Sequence, residues 1–243
     1  MIYKINISFL ILCSKRKDMY KIQQFQFNLF QENTIVLSGK RDGCVVVDPG
    51  YYTDGEKEQF FNFLSDNRLE PKAVLVTHGH ADHTYGVAAL QQKYGCPVYL
   101  DREDVKVMKS HYVMMQKLGL RPADISFSFT GIGEGSIIEA AGFTFHVIET
   151  PGHTPGGVCF HDEEDNFLLT GDTLFAGTIG RTDMEFGDYD KEIVSIMEKL
   201  MLMDADITIY PGHGPSSTIG YERMNNPFLE PFNEKEEEGT ENI

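Results

Sequence analysis

Residues 77–83 read Thr-His-Gly-His-Ala-Asp-His and carry the densest set of metal-binding side chains in the chain. The continuous apolar run 73–77 ends in this segment and indicates a buried strand. His78 and His80, two residues apart, project to the same side of an extended loop. Asp82 and His83 follow at the turn into the next helix and face a second point nearby. Imidazole and carboxylate groups in this pattern indicate a site for zinc, iron or manganese, rather than a solvated histidine-rich loop.

Three later glycine-rich turns each present one more candidate ligand. His153 lies in the segment 150–157, Asp172 follows Gly171, and His213 follows Gly212. Glycine permits tight turns and a close approach of the backbone, so each turn can aim one side chain. Taken alone, each residue is typical of an ordinary surface turn. Together with the first cluster they supply enough ligands for two metal ions, each with three protein ligands, and one shared carboxylate.

The hydrophobic pattern is similar in the two halves of the chain. Alternating apolar residues predict a first strand in the pattern that begins at Tyr20, with Phe25, Phe27 and Leu29 on one face. Further alternating or continuous apolar runs predict strands at 34–37, 44–47, 73–77, 97–100, 136–149, 157–161, 166–170 and 207–210. Helical spacing predicts helices at 55–66, 84–94, 102–118 and 189–203. Since each half runs from strands through a helix to a strand, we expect an α/β fold of two stacked sheets with helices outside.

The same pattern predicts one domain over residues 19–231. Residues 1–18 carry an apolar stretch followed by a basic cluster, the reverse of the order in a signal peptide. We interpret them as a leader, or as residues before a true start at Met19, and expect them to be disordered. Residues 232–243 are rich in glutamate and lack core residues, so a disordered acidic tail is expected there.

The net charge of −16 argues against two classes of partner. An acidic surface repels phosphate backbones and anionic lipids, so neither nucleic acid nor a membrane is expected to bind. No apolar run reaches the roughly 18 residues of a membrane span. The four cysteines are far apart and form no CxxC pair, which is typical of a reducing compartment and favours the cytoplasm.

The motifs THGHADH, TPGHTPGG, LLTGDTLF and YPGHGP together resemble those of the metallo-β-lactamase-fold hydrolases over roughly residues 20–230. The resemblance implies an αββα four-layer sandwich with two stacked mixed sheets. It also implies two divalent metal ions, with zinc favoured over iron or manganese. The ligands implied for the first ion are His78, His80 and His153. Those implied for the second ion are Asp82, His83 and His213, and Asp172 is implied to bridge the two ions.

Within this superfamily, the segments GDTLFAGTIGRTDM and PGHGPSSTIGYERMNNPF resemble the short members of the glyoxalase II, or hydroxyacylglutathione hydrolase, group. That implies a hydrolase that cleaves a small-molecule thioester similar to S-lactoylglutathione with a hydroxide held between the metals, which Asp82 would orient. A thiol with a pKa of about 8.5 leaves without a strong general acid. Arg181 is the candidate for binding a substrate carboxylate, although an internal salt bridge with Asp183 or Asp188 explains it equally well.

Two other functions fit parts of the sequence. The GRTD segment also occurs in persulfide dioxygenases of the same fold, which use a single iron; His213 and the complete first cluster favour the two-metal hydrolase instead. The second alternative is a non-enzymatic metal-binding protein. The remaining histidines are interpreted as ordinary: His146 faces solvent from a strand, and His111 lies in the polar half of a helix. The turn that begins at Asp48 is expected to support the metal site from below.

Overall fold

Two six-stranded sheets form the centre of the fold. The computed structural model describes residues 20–230, so the expected leader 1–18 and tail 232–243 lie outside the described residues. The strands of the first sheet, in sheet order, are β1 (Lys21–Phe27), β2 (Glu32–Ser38), β3 (Cys44–Val47), β4 (Pro71–Leu75), β5 (Val98–Asp101) and β6 (Thr130–Ile132). Strands β1 to β3 are antiparallel, and β3 to β6 are parallel.

The second sheet comes from the second half of the chain. The remaining strands are β7 (Ile137–Ala140), β8 (Phe143–Glu149), β9 (Val158–Asp162), β10 (Phe167–Gly171), β11 (Leu174–Phe175), β12 (Thr178–Ile179), β13 (Thr208–Pro211) and β14 (Ser217–Thr218). The sheet order is β14-β13-β10-β9-β8-β7, and β11 pairs with β12 in a separate hairpin. Because β10 and β13 are parallel, their carboxyl ends lie at the same edge.

Helices cover the outer faces of both sheets. They are α1 (Asp54–Asp66), α2 (Ala81–Thr84), α3 (Val87–Tyr94), α4 (Val105–Lys117), α5 (Tyr189–Ser195) and α6 (Ile219–Asn225). The predicted helix 84–94 is interrupted at Gly86, whose backbone N–H donates to the Pro49 carbonyl at 2.6 Å. The predicted helix 102–118 starts with a 3₁₀ turn, and 189–203 continues past α5 as a single π turn. In the described residues no helix is long and apolar enough to cross a membrane.

Three apolar layers hold the sheets and helices together. The layer between the sheets packs Ile35 and Leu37 of the first sheet against Phe145, Phe160 and Phe167 of the second. A second layer joins the first sheet to α1, α3 and α4, and a third joins the second sheet to α5 and α6. The order helix, sheet, sheet, helix confirms the predicted αββα sandwich.

Phe160 tests the layer between the sheets. Its side chain is fully buried and meets Phe145 edge to face at 6.4 Å between ring centroids. We expect Phe160→Ala to lower the free energy of unfolding by about 3–5 kcal/mol, because it removes packed atoms and leaves a cavity. Denaturant unfolding measures the change. The exposed Leu202→Ala is the control, with an expected change within about 0.5 kcal/mol; equal losses in the two variants would contradict this packing.

The first predicted strand is wrong at its end. Strand β1 stops at Phe27 because Asn28 adopts a left-handed backbone conformation, with φ of 55°. Leu29 therefore leaves the sheet and is 71% exposed, rather than sharing a face with Phe25. The pattern also missed β6, β11, β12, β14 and α6, which are too short to show a period.

Candidate metal centre

The seven candidate ligands follow strands that end at one edge of the two sheets. The loop 76–80 and helix α2 come after β4, and the loop 150–157 comes after β8. Asp172 comes directly after β10, and His213 follows β13 after the single residue Gly212. A hydrogen bond from the Val158 backbone N–H to the Thr77 carbonyl, 3.0 Å long, joins the two sheets beside the cluster.

Three buried histidines bring one ring nitrogen each to a common point. The Nδ1 atom of His80 lies 3.1 Å from Nε2 of His78 and 2.9 Å from Nε2 of His153. All three side chains are buried. These are the residues predicted for the first metal ion, and the structure places them together.

The second predicted group also comes together. The Nε2 atoms of His83 and His213 lie 3.3 Å apart. Oδ2 of Asp82 lies 3.8 Å from the first of these atoms and 3.5 Å from the second. The group therefore offers one carboxylate and two imidazoles to a single ion.

Asp172 lies between the two groups. Its Oδ1 atom is 3.4 Å from Nε2 of His83, and its Oδ2 atom is 3.5 Å from Nε2 of both His153 and His213. One carboxylate thus contacts side chains of both triads, as the bridging position requires.

Hydrogen bonds on the far side of two rings fix their tautomers. Nδ1 of His153 lies 2.7 Å from the Arg181 carbonyl, and Nδ1 of His213 lies 3.1 Å from the Phe30 carbonyl. A carbonyl can only accept, so each Nδ1 carries the hydrogen and donates it. The Nε2 atoms of both rings are consequently free to offer a lone pair to a cation.

Asp48 orients two other rings, which agrees with the supporting role that the sequence predicts for its turn. Nδ1 of His83 donates to Oδ2 of Asp48 at 3.0 Å. The Thr77 hydroxyl donates to the same carboxylate at 2.6 Å, and its oxygen therefore accepts from Nδ1 of His78 at 3.0 Å. The Thr77 backbone N–H occupies the other oxygen of Asp48 at 2.7 Å. Asp48 thus orients ligands from outside the cluster.

This donor set fits a divalent cation. Lone pairs of ring nitrogens only 2.9–3.3 Å apart repel one another unless a cation, or a proton, lies between them. Oδ1 of Asp172 is buried and has no hydrogen-bond partner in the described residues. Imidazole nitrogens and carboxylate oxygens in groups of three are typical ligands for zinc and related metals.

The charges of the site keep its carboxylates ionised. Burial would raise the pKa of Asp82, but His83 and His213 lower it to about 2. Burial likewise would lower the pKa of His213, but Asp172 and Asp82 raise it to about 10. Burial and the neighbouring imidazoles lower the pKa of His78 well below its usual range. Cation binding at the second triad therefore has to displace a proton.

The packing of the site requires a glycine at position 212, directly before His213. A Cβ atom on Gly212 would lie 2.3 Å from Oδ1 of Asp172 and 2.7 Å from Cε1 of His83. These distances are far below van der Waals contact. The turn can therefore bring His213 to the cluster only if residue 212 lacks a side chain.

A cleft of about 540 Å³ opens beside the cluster. Besides five of the seven candidate ligands, its wall contains mainly apolar side chains, including Met114, Met115, Phe175, Ile179 and Met184. Arg181 also lines it, and its guanidinium binds both oxygens of Asp183, at 2.8 and 2.9 Å. The internal salt bridge considered for Arg181 is therefore present, and its partner is Asp183.

Two residues near the centre were missed or misread from the sequence. Buried Asp104 accepts from the Gly79 and Gly156 backbone N–H groups, both at 2.6 Å, and so joins the two histidine loops. His111 was interpreted as lying in the polar half of its helix, which is wrong. Its ring is buried and stacks on His80, with centroids 4.2 Å apart. No local pattern marks either residue, because both contacts join α4 or the turn before it to loops distant in sequence.

Comparison with known proteins agrees with this geometry. The model of the metallo-beta-lactamase superfamily matches residues 27–213. The hydroxyacylglutathione hydrolase GloC of Haemophilus influenzae is 37% identical over 202 residues, which cover 82% of this chain and 93% of that protein.

Two solved structures are similar over nearly their whole length. The BLEG-1 B3 metallo-beta-lactamase has a TM-score of 0.78 and 33% identity, and the match covers 87% of this chain and 99% of that one. TTHA1623 in a di-iron-bound form has a TM-score of 0.75 and 32% identity, covering 85% and 100%. By its family match, its relatives and its fold, this chain belongs to the metallo-beta-lactamase superfamily.

Proposed function

We propose that this chain is a hydrolase with two divalent metal ions, favouring zinc, that cleaves a thioester similar to S-lactoylglutathione. The observation that carries the proposal is the pair of ligand triads joined by Asp172. The similarity to GloC, whose name is that of a hydroxyacylglutathione hydrolase, supports the thioester as substrate.

The first ion would be held by His78, His80 and His153, the second by Asp82, His83 and His213, and both by Asp172. When bound, such ions lower the pKa of water towards 7 and polarise a carbonyl group.

The protein's own groups prepare the substrate and the attacking water. The ionised carboxylate of Asp82 would accept a hydrogen bond from the water and so orient it towards the acyl carbon. The apolar wall of the cleft would exclude bulk water from the acyl group. The bond that breaks joins the acyl carbon to sulfur, and the thiol leaves without a general acid because its pKa is only about 8.5.

Arg181 would recognise a carboxylate of the thiol carrier by exchanging its Asp183 partner for the substrate. Both side chains are well exposed, so the existing pair adds little to the stability of the fold and is easily exchanged. We expect Arg181→Gln to raise KM for S-lactoylglutathione about tenfold, because a charge-assisted hydrogen bond is lost. KM for S-lactoyl-N-acetylcysteamine, whose thiol carrier has no carboxylate, should not change. Equal KM values for wild type and variant on both substrates would remove Arg181 from the site.

A substrate panel tests the proposal. Purified protein is given S-lactoylglutathione, a simple lactone and glutathione persulfide, while free thiol, ring opening and oxygen uptake are followed. We expect release of glutathione from the thioester and no oxygen uptake. Oxygen uptake with the persulfide, without thioester cleavage, would replace the hydrolase with the dioxygenase. A metal-loaded protein that turns over no member of the panel would favour the non-enzymatic alternative.

A further inference from the structure

His111 occupies a position in the cleft wall that no step of the proposed reaction uses. It projects from α4, is 9% exposed, and lines the cleft beside the ligand cluster. Its ring lies nearly parallel to that of His80, with an interplanar angle of 15°. Any group that this ring contacts in the cleft is therefore close to the reacting centre.

A backbone hydrogen bond fixes the tautomer of His111. The Ala81 backbone N–H donates to its Nδ1 atom at 3.3 Å. A nitrogen that accepts from an amide carries no hydrogen, so the single hydrogen of the neutral ring is on Nε2. His111 therefore presents an N–H donor on the edge of the ring that faces away from Ala81.

No described residue accepts a hydrogen bond from this Nε2 atom, and it is not among the buried side-chain atoms that lack a partner. It consequently reaches solvent, and the cleft is the cavity that the ring lines. The other polar side chains of the wall outside the ligand set are already engaged. The Thr178 hydroxyl lies 3.4 Å from the Ile179 carbonyl, and Arg181 pairs with Asp183.

We propose that His111 determines acyl specificity by donating a hydrogen bond from Nε2 to an oxygen on C2 of the acyl group. The inference rests on the proposed thioester hydrolysis. The carbonyl carbon has to lie at the ligand cluster, so the neighbours of that carbon face His80 and the ring stacked on it. The carbonyl oxygen would be polarised by the bound ions, and the sulfur is a weak acceptor, whereas a hydroxyl oxygen on the neighbouring C2 is a good acceptor that remains free.

An acyl group without that oxygen, once it displaces water from this part of the cleft, would leave the Nε2 hydrogen without an acceptor. Sites that form a hydrogen bond to a substrate hydroxyl discriminate against analogues that lack it. His111 would thus favour 2-hydroxyacyl thioesters over simple acyl thioesters of the same length.

The test compares S-lactoylglutathione with S-propionylglutathione, which differs by the 2-hydroxyl alone. For the wild type we expect the ratio of kcat/KM values to favour the lactoyl substrate about tenfold or more. His111→Phe keeps a flat ring against His80 but has no donor, and we expect it to lower this ratio to about 1. His111→Gln retains an N–H donor and an acceptor for Ala81, and should restore part of the preference. His146→Gln, a histidine substitution on β8, is the matched control.

A merely structural role for His111 would slow both substrates equally and leave the ratio unchanged. A wild-type ratio near 1, or a ratio that His111→Phe leaves at its wild-type value, overturns the inference while thioester hydrolysis still stands. Absence of hydrolysis of both thioesters by the metal-loaded wild type overturns the proposed function and this inference with it. Metal content and thermal unfolding of each variant show whether a loss of activity is due to misfolding. If His111→Phe misfolds, the ratios measured for the wild type and for His111→Gln test the inference.

Discussion

Asp172→Asn is expected to lower kcat/KM for S-lactoylglutathione on the order of 10³-fold, the loss seen when a main electrostatic contact to the reacting group is removed. Asn has the size of Asp but no negative charge. Its amide group would turn an N–H towards one of the Nε2 atoms that surround Oδ1 and Oδ2 of Asp172, at 3.4–3.5 Å. The variant should therefore bind less metal as well as react more slowly.

The control for this prediction is Asp190→Asn, the same chemical change on an exposed carboxylate in the first turn of α5. It should leave metal content and kcat/KM at wild-type values. Elemental analysis and steady-state kinetics on the two variants make the comparison. An Asp172→Asn protein that retains full metal content and wild-type activity would show that this carboxylate does not join the two triads.

Asp48→Asn is expected to weaken metal binding or activity by about 10- to 100-fold, although the side chain does not face the cluster. Asp48 accepts three hydrogen bonds from Thr77 and His83, and an amide can accept at only one of its two ends. One donor would then meet another donor, and the ring of His83 or the hydroxyl that orients His78 would shift. The backbone φ of Asp48 is +46°, a conformation that Asn adopts as readily as Asp, so the loop itself should persist.

Competition with a chelator of known affinity measures the metal affinity of Asp48→Asn. Thermal unfolding of the metal-free variant reports whether the fold is preserved. Asp42→Asn, in the exposed turn before β3, is the matched control and should bind metal as the wild type does. Wild-type affinity in both variants would mean that the hydrogen bonds to His83 and Thr77 have no influence on the ligands.

The sandwich and the position of the ligand cluster could be predicted because their signals are local. A strand followed at once by His78 and His80 places both rings at the strand end, whatever the rest of the chain does. The glycine-rich turns before Asp172 and His213 are equally local. Their necessity is visible only in three dimensions, where a Cβ on Gly212 would collide with Asp172.

The supporting residues could not be predicted because their roles depend on packing between distant segments. Asp104 precedes α4 as an ordinary charged residue, and only the fold brings it against the Gly79 and Gly156 amides. His111 lies on the same helix among polar residues, and its stack on His80 depends on how α4 docks. For Arg181, the sequence draws attention to the guanidinium, yet it is the backbone carbonyl that orients His153.

The central claim is that hydrolysis depends on metal held by the two triads. Elemental analysis of the purified protein, paired with S-lactoylglutathione hydrolysis before chelation, after chelation and after metal is restored, tests it most directly. We predict about two metal ions per chain, loss of hydrolysis when they are removed and recovery when they return. Hydrolysis that continues at full rate in metal-free protein would contradict the claim.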